Sequence, residues 1–306
     1  MIWTVQEGRI REIPAEEVDR EANTNYLGIF TFDELDSLTF MIPHERELFL
    51  DVRNDKYVKF ESGEGWDFVC LNLLNYTDVT APPDRVSIFM RKGIMLFVAE
   101  KTFPVLKIID RFTADATKKV TFTKLLYYFM DQMTEKDSEY LDQIEQEISE
   151  LEDDLMDEIR KSCVKEISAL RKKLMILKHY YEQLFEVVDE IQENENQIFD
   201  PNFMRYFKIF DNRLDRLYHS VLSLRDYVTQ VREAYQAEVD ISLNSIMKLF
   251  TVIAAIFMPL TLIVGWYGMN LRLPEFSWNY GYPFVILLCF GITVSSLIYF
   301  KKNNWF

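Results

Sequence analysis

"LFTVIAAIFMPLTLIVGWYGMN" occupies residues 249 to 270 and contains no charged side chain. About 20 apolar residues in a helix cross the roughly 30 Å hydrocarbon layer of a membrane. The uncharged run extends to Leu271, and a second one covers Phe276 to Phe300. Two such runs, joined by a short polar loop and followed by "KKNNWF", read as membrane spans rather than soluble core helices. Lys248 precedes the first span, and Lys301 and Lys302 follow the second. In the loop Arg272 and Glu275 cancel. The positive-inside rule then puts both ends in the cytosol and the loop outside.

Charge divides the chain in the same way. The 306 residues carry a formal net charge of -15. From Ile241 onward Lys248, Arg272, Lys301 and Lys302 face Glu275 alone, a net of +3, so residues 1–240 carry -18. So acidic a soluble part excludes a nucleic-acid surface and mainly favours solubility. Cys70, Cys163 and Cys289 lie far apart. They fit neither a disulfide framework nor a metal spacing, as suits a reducing compartment. The start "MIWTVQEGRIREIP" has no apolar core of a signal peptide. Insertion is expected from the internal segments, directly into a bacterial or archaeal membrane.

Glycine and proline mark the remaining divisions. No glycine lies between Gly93 and Gly265, and neither residue lies between Pro104 and Pro201. Such a stretch predicts long helices. Before it, "WDFVCLNLL" (66–74) and "RVSIFMRKGIMLFVAE" (85–100) are rich in strand formers, with a hairpin signal at Arg91-Lys92-Gly93. Residues 1–120 are therefore expected to form an α/β domain. No phosphate-binding glycine loop or nucleophile motif occurs there.

Residues 121–200 are expected to form an antiparallel helical hairpin. Leu141, Ile144, Ile148, Leu151 and Leu155 form a coiled-coil-like seam, with helix continuing to about Ile198 and the hairpin tip near residues 160–165. Asp200 is placed to cap a new helix at Pro201. Residues 201–270 then form a long stalk that runs into the first span, about 246–267. Residues 271–281 make the outer loop, 282–300 the second span and 301–306 a basic cytosolic end.

At the stalk's end, Asn244, Met247, Thr251, Ala254, Met258, Thr261, Gly265 and Gly268 follow alternating steps of three and four. Leu249, Ile253, Ile256, Leu260 and Ile263 lie opposite. In lipid the bulky face meets acyl chains and the small, polar face is buried against protein. That stripe either packs helices closely or lines a pore between identical copies. Thr261 and Asn270 offer oxygens to a passing ion. Neither span contains a carboxylate, so a pore here would handle an ion that keeps most of its water. Pro259 removes one backbone hydrogen bond within the span.

These residues resemble a known family. "MPLTLIVGWYGMN" (258–270), a short loop, a second span and a basic end are similar to the CorA family of magnesium channels, whose signature is the triplet Gly268-Met269-Asn270. The loop "PEFSWNYGYP" resembles the family's acidic-aromatic loop, with Glu275 in place. The likeness is strongest over residues 240–306. It implies an α+β cytosolic domain plus a long helical stalk and two transmembrane helices, in a CorA-like homopentameric funnel. Five stalk helices would line the pore and the second spans would surround them in the cell membrane.

The resemblance also implies roles. Asn270 would hold hydrated Mg2+ through its waters at the outer mouth, shaped by Tyr267, Gly268 and Met269. Thr261, Met258, Met247 and Asn244 fall on pore-lining positions, and Ala254 and Thr251 share their stripe. Phe250, with Met247, stands where the family has a bulky apolar gate, although the family residue is aliphatic. Lys301 and Lys302 resemble a basic ring around the cytosolic end of the pore. Regulatory Mg2+ would bridge carboxylates between subunits. Ile209 occupies one such position, and Asp211 and Asp215 are nearby substitutes.

The function implied is passive, potential-driven Mg2+ influx, with Co2+ and Ni2+ as further substrates and feedback by cytosolic divalent ions. Mg2+ is the only cofactor expected, with no organic group. Two alternatives remain: transport of another divalent ion such as Zn2+, and a membrane-anchored coiled-coil scaffold. Met269 favours Mg2+, because zinc-transporting relatives resemble a triplet in which the Met is replaced. An enzyme is not expected, since His44, His179 and His219 lie apart and pair with no nucleophile.

Overall fold

The computed structural model describes residues 1–6, 9–18, 24–38, 40–53, 58–114, 120–157, 163–269, 278, 280–303 and 305. Asn270 and Glu275 lie outside them. The chain forms two compact units, Met1–Val231 and Arg232–Phe306.

The first unit is built on a seven-stranded sheet. Its strands are β1 (Ile2–Gln6), β2 (Arg9–Ile13), β3 (Asn25–Thr31), β4 (Lys59–Gly63), β5 (Trp66–Leu73), β6 (Asp84–Arg91) and β7 (Ile94–Ala99). Their spatial order is β2-β1-β3-β7-β6-β5-β4. All pairs are antiparallel except β3 with β7. The hairpin expected at Arg91-Lys92-Gly93 forms with Arg91 opposite Ile94, and Gly93 takes a φ of 84° that suits glycine.

Strands β5, β6 and β7 are buried on both faces, which explains their continuous apolar runs. α1 (Pro43–Arg53) covers one face, where Phe49 meets Phe68 edge-on at 5.2 Å. α2 (Thr102–Ala114) and α3 (Phe122–Met133) cover the other, where Phe97 meets Phe129 at 5.2 Å. The first three strands and β4 had no clear signature in the sequence, and the sheet therefore includes more strands than the two stretches that announced it.

Three longer helices extend this unit: α4 (Asp137–Asp157), α5 (Cys163–Glu193) and α6 (Met204–Tyr267). The seam residues Leu141, Ile144, Ile148 and Leu151 are buried. Leu155 and half of the expected tip, residues 160–162, lie outside the residues whose side chains are described. On α6 the matching line is Phe207, Phe210, Leu214, Leu217, Val221, Leu224, Val228 and Val231, all buried. Its alternating steps of three and four keep one face inward. Lys173 Nζ bonds Glu147 Oε2 at 2.7 Å between α5 and α4.

The helix expected to reach about Ile198 stops at Glu193. Asn194 and Gln197 adopt positive φ values of 46° and 50°, a turn conformation that asparagine tolerates and a helix does not. Asp200 caps the next helical turn by accepting from Asn202 N at 2.9 Å. α6 then continues without interruption into the second unit, which also holds α7 (Gly281–Lys302).

Candidate pore-lining face and outer mouth

The candidate site is one face at the end of α6. Asn244, Met247, Thr251, Ala254, Met258, Thr261, Gly265 and Gly268 are all exposed within the single chain. The sheltered line of α6 is a different one: Val252, Ile256, Pro259, Leu260, Ile263 and Tyr267. On α7 the sheltered positions are Gly281, Val285, Cys289, Ile292, Thr293, Ser296 and Phe300. In the second unit α7 is the only other helix among the described residues.

This refines the expected bulky face. Ile256, Leu260 and Ile263 are sheltered, whereas Leu249 and Ile253 remain 55% and 44% exposed. Tyr267 sits on the sheltered line rather than on the stripe. Met247, on the stripe, and Phe250, beside it, are each 67% exposed.

The stripe offers neutral oxygen. Thr251 Oγ1 donates to Met247 O at 2.8 Å, and Thr261 Oγ1 donates to Phe257 O at 2.8 Å. Each hydroxyl hydrogen is thus held by its own helix, which leaves the oxygen lone pairs as acceptors on the free face. Phe257, Leu262 and Trp266 line the same open groove as Ala254, Met258, Thr261, Gly265 and Met269. Those three large residues were not singled out from the sequence. Their signal was position alone, one step to either side of the small stripe.

Two glycines differ in their need for glycine. A Cβ on Gly265 would meet nothing within 4 Å in the single chain. A Cβ on Gly268 would lie 2.9 Å from Val264 O. There Gly268 N donates to Val264 O at 2.8 Å and Met269 N to Trp266 O at 3.3 Å, closing the helix. The two glycines, aromatics and Met of "GWYGMN" thus form a tight helix end just before Asn270.

At the other end of the second span, Lys301 and Lys302 are exposed in the last turn of α7. Asn303 N donates to Tyr299 O at 3.2 Å and Trp305 N to Phe300 O at 3.1 Å, which caps the helix. The Trp305 ring packs tilted against that of Phe300, with centroids 5.4 Å apart.

Asp211 and Asp215 lie on the first-unit part of α6. Burial, followed by the charges of Asp189 and Asp215, pushes the Asp211 carboxyl above its ordinary value. Asp215 is 3.5 Å from His219 Nε2. No group of three or more His, Cys, Asp and Glu side chains that could hold a metal occurs among the described residues. Ile209 is 57% exposed. A regulatory ligand set is therefore not assembled within one chain by the described residues.

Both apolar segments have only 6% of their most apolar window buried, where a soluble core helix would be mostly buried. Comparison with known proteins agrees with the membrane assignment. A family model described as CorA-like Mg2+ transporter protein matches residues 39–302. The cobalt/magnesium transport protein CorA of Thermotoga maritima is 29% identical over 254 residues, covering 81% of this chain and 72% of the relative. A putative metal ion transporter, YfjQ of Bacillus subtilis, is 28% identical over 252 residues, covering 81% and 78%. The complete structure of the CorA magnesium transporter from Methanocaldococcus jannaschii superposes with a TM-score of 0.81 over 100% of this chain and 98% of that one, at 19% identity.

Proposed function

The chain belongs to the CorA-like Mg2+ transporter family, and on that premise we propose that it is a passive Mg2+ channel assembled from five copies. The family is one of membrane ion transporters, not enzymes. Its membership leaves the scaffold alternative without support, and the names of the reported relatives do not point to zinc. Cobalt in the name of the Thermotoga relative supports Co2+ as a further substrate.

One observation carries the proposal. The uncharged stripe from Asn244 to Gly268 is exposed on a helix whose sheltered side chains lie on a different line. Five copies would bring those stripes together around an axis and leave the second spans toward lipid. The hydroxyls of Thr251 and Thr261 would then accept hydrogen bonds from the waters of a hydrated ion. Asn270 would contact those waters at the outer mouth, with Met269, Gly268 and Tyr267 shaping it and Glu275 in the loop outside. A doubly charged ion gains about 4.6 kcal/mol on entering down a potential of 100 mV. Lys301 and Lys302 would hold the cytosolic end of the second span, as the positive-inside rule requires. Asp211 and Asp215 remain candidates for divalent feedback only if a neighbouring copy adds ligands.

The test is Mg2+ flux into liposomes carrying the purified protein, read with a trapped Mg2+ dye under a potential negative inside. Flux that rises with potential and disappears in an assembled Asn270→Ala protein is the expected result. Equal flux in that variant would remove Asn270 from the mechanism. No flux from the intact pentamer, with Mg2+ absent from the cytosolic side, would overturn the Mg2+ channel.

A further inference from the structure

A buried carboxyl lies among phenols where α3, α4, α5 and α6 meet in the first unit. Asp137, the first residue of α4, is 1% exposed. Tyr76, from the segment after β5, donates to Asp137 Oδ1 at 2.5 Å, and its hydroxyl also lies 2.8 Å from Met133 O. Asp137 Oδ2 and the Tyr180 hydroxyl are buried without a hydrogen-bond partner among the described residues, and the buried Tyr181 hydroxyl faces the Asp137 carboxyl. Tyr180 and Tyr181 come from α5, with ring centroids 5.2 Å apart. The Tyr140 ring, on α4, lies 5.8 Å from that of Tyr76.

The charged groups around this carboxyl come from three directions. Arg213 on α6 places Nη1 2.7 Å from Asp131 Oδ1 and Nη2 2.7 Å from Thr134 O. Its charge is therefore engaged by Asp131 and reaches Asp137 only in part. Glu135, in the α3–α4 turn, acts on Tyr76. Burial and the Asp137 charge push the phenols of Tyr76, Tyr180 and Tyr181 up, so they remain neutral.

A buried carboxylate with one firm hydrogen bond favours its protonated form. Burial, the largest cause, pushes Asp137 from an ordinary 3.8 up to about 6, against the opposing effects of Tyr76, Tyr181 and Arg213. We propose that Asp137 is a proton-linked latch: on mild acidification it takes up a proton and tightens the α3–α4 junction against α5 and α6. The same turn holds Arg213 through Asp131 and Thr134, so the latch grips the first-unit part of the helix that continues into the first span.

The sign follows from linkage. The folded carboxyl binds its proton more readily than the unfolded one, so the latch is weakest above about pH 6 and strengthens as pH falls toward the ordinary carboxyl range. From about pH 7.5 to about pH 5 the local folding equilibrium gains about tenfold.

Hydrogen–deuterium exchange of the full chain in detergent, corrected for intrinsic rates, tests this at the start of α4 and around Tyr180. About tenfold more protection is expected at the lower pH in the parent protein, and none of that gain in Asp137→Asn. Tyr76→Phe removes a donor that favours the charged carboxylate, so its transition should move to higher pH. Protection without pH dependence at these segments in the parent protein would overturn the proposal, as would the parent's full pH dependence in Asp137→Asn. Should Asp137→Asn not fold, a transition in Tyr76→Phe at the parent's pH would overturn it equally.

Discussion

Asn196 Nδ2 lies 2.7 Å from Asp67 Oδ1, across 129 residues of chain. The same nitrogen is 2.8 Å from Ser62 Oγ and 3.0 Å from Trp66 O, and Asn196 Oδ1 accepts from Gly65 N at 2.8 Å. One side chain thus pins the turn before α6 to the β4–β5 hairpin. Asp67 is only 3% exposed, so it depends on the donors around it.

Asn196→Ala should therefore destabilise the protein by about 1–3 kcal/mol, the usual effect of leaving a buried polar group short of a partner. Chemical denaturation of the full chain in detergent, followed by circular dichroism, measures it. An unchanged midpoint would mean that Ser62, which donates to Asp67 at 2.8 Å, satisfies the carboxylate alone.

Gly265 tests whether the α6 stripes meet. In one chain a Cβ there touches nothing within 4 Å, so Gly265→Ala should fold normally and even favour the helix by up to about 1 kcal/mol. Around a five-fold axis a large side chain would crowd the pore. Gly265→Leu should thus assemble yet lose most of its Mg2+ flux in liposomes. Full flux in Gly265→Leu would place the stripe away from the axis.

Thr261 separates an oxygen lining from simple close packing. Its hydroxyl hydrogen is held by Phe257 O at 2.8 Å, so only the lone pairs face outward. Thr261→Val keeps the shape and removes the oxygen, and should reduce Mg2+ flux severalfold. Thr261→Ser keeps the oxygen and should conduct. Equal flux in the two variants would assign Thr261 to packing.

Much of the second unit was legible because a membrane imposes a simple rule. A helix in lipid excludes charge, so Leu249–Leu271 and Phe276–Phe300 stood out without any knowledge of partners. The stripe was legible too, since its spacing depends on one helix alone. The sheet was less so. β3 pairs in parallel with β7, with Tyr26 opposite Ile94, and no local pattern announces a partner so distant. The Asp137 cluster was invisible for the same reason, because Tyr76 and Arg213 lie 61 and 79 residues from the groups they meet at Asp137 and Thr134. The helix stop at Glu193 was hidden by a turn whose Asn194 closes on itself, accepting from Phe199 N at 3.1 Å and donating to Phe199 O at 3.0 Å.

Phe250 provides the test of gating. It is 67% exposed in the single chain, near Met247 and two turns before Phe257 on a helix whose sheltered line lies elsewhere. In a ring of five, side chains this large would narrow the pore and exclude water, and a dry constriction blocks an ion that travels with its hydration shell. Phe250→Gly removes the constriction at a helix penalty of about 1 kcal/mol, which a helix held by its neighbours tolerates. The variant should therefore leak Mg2+ even when Mg2+ is high on the cytosolic side, where the parent protein is expected to close. Phe250→Leu keeps an apolar ring and should close like the parent. Flux in liposomes loaded with high Mg2+, read with a second permeant ion such as Co2+ as tracer, distinguishes the cases. A Phe250→Gly protein that still closes would place the barrier at another level of α6.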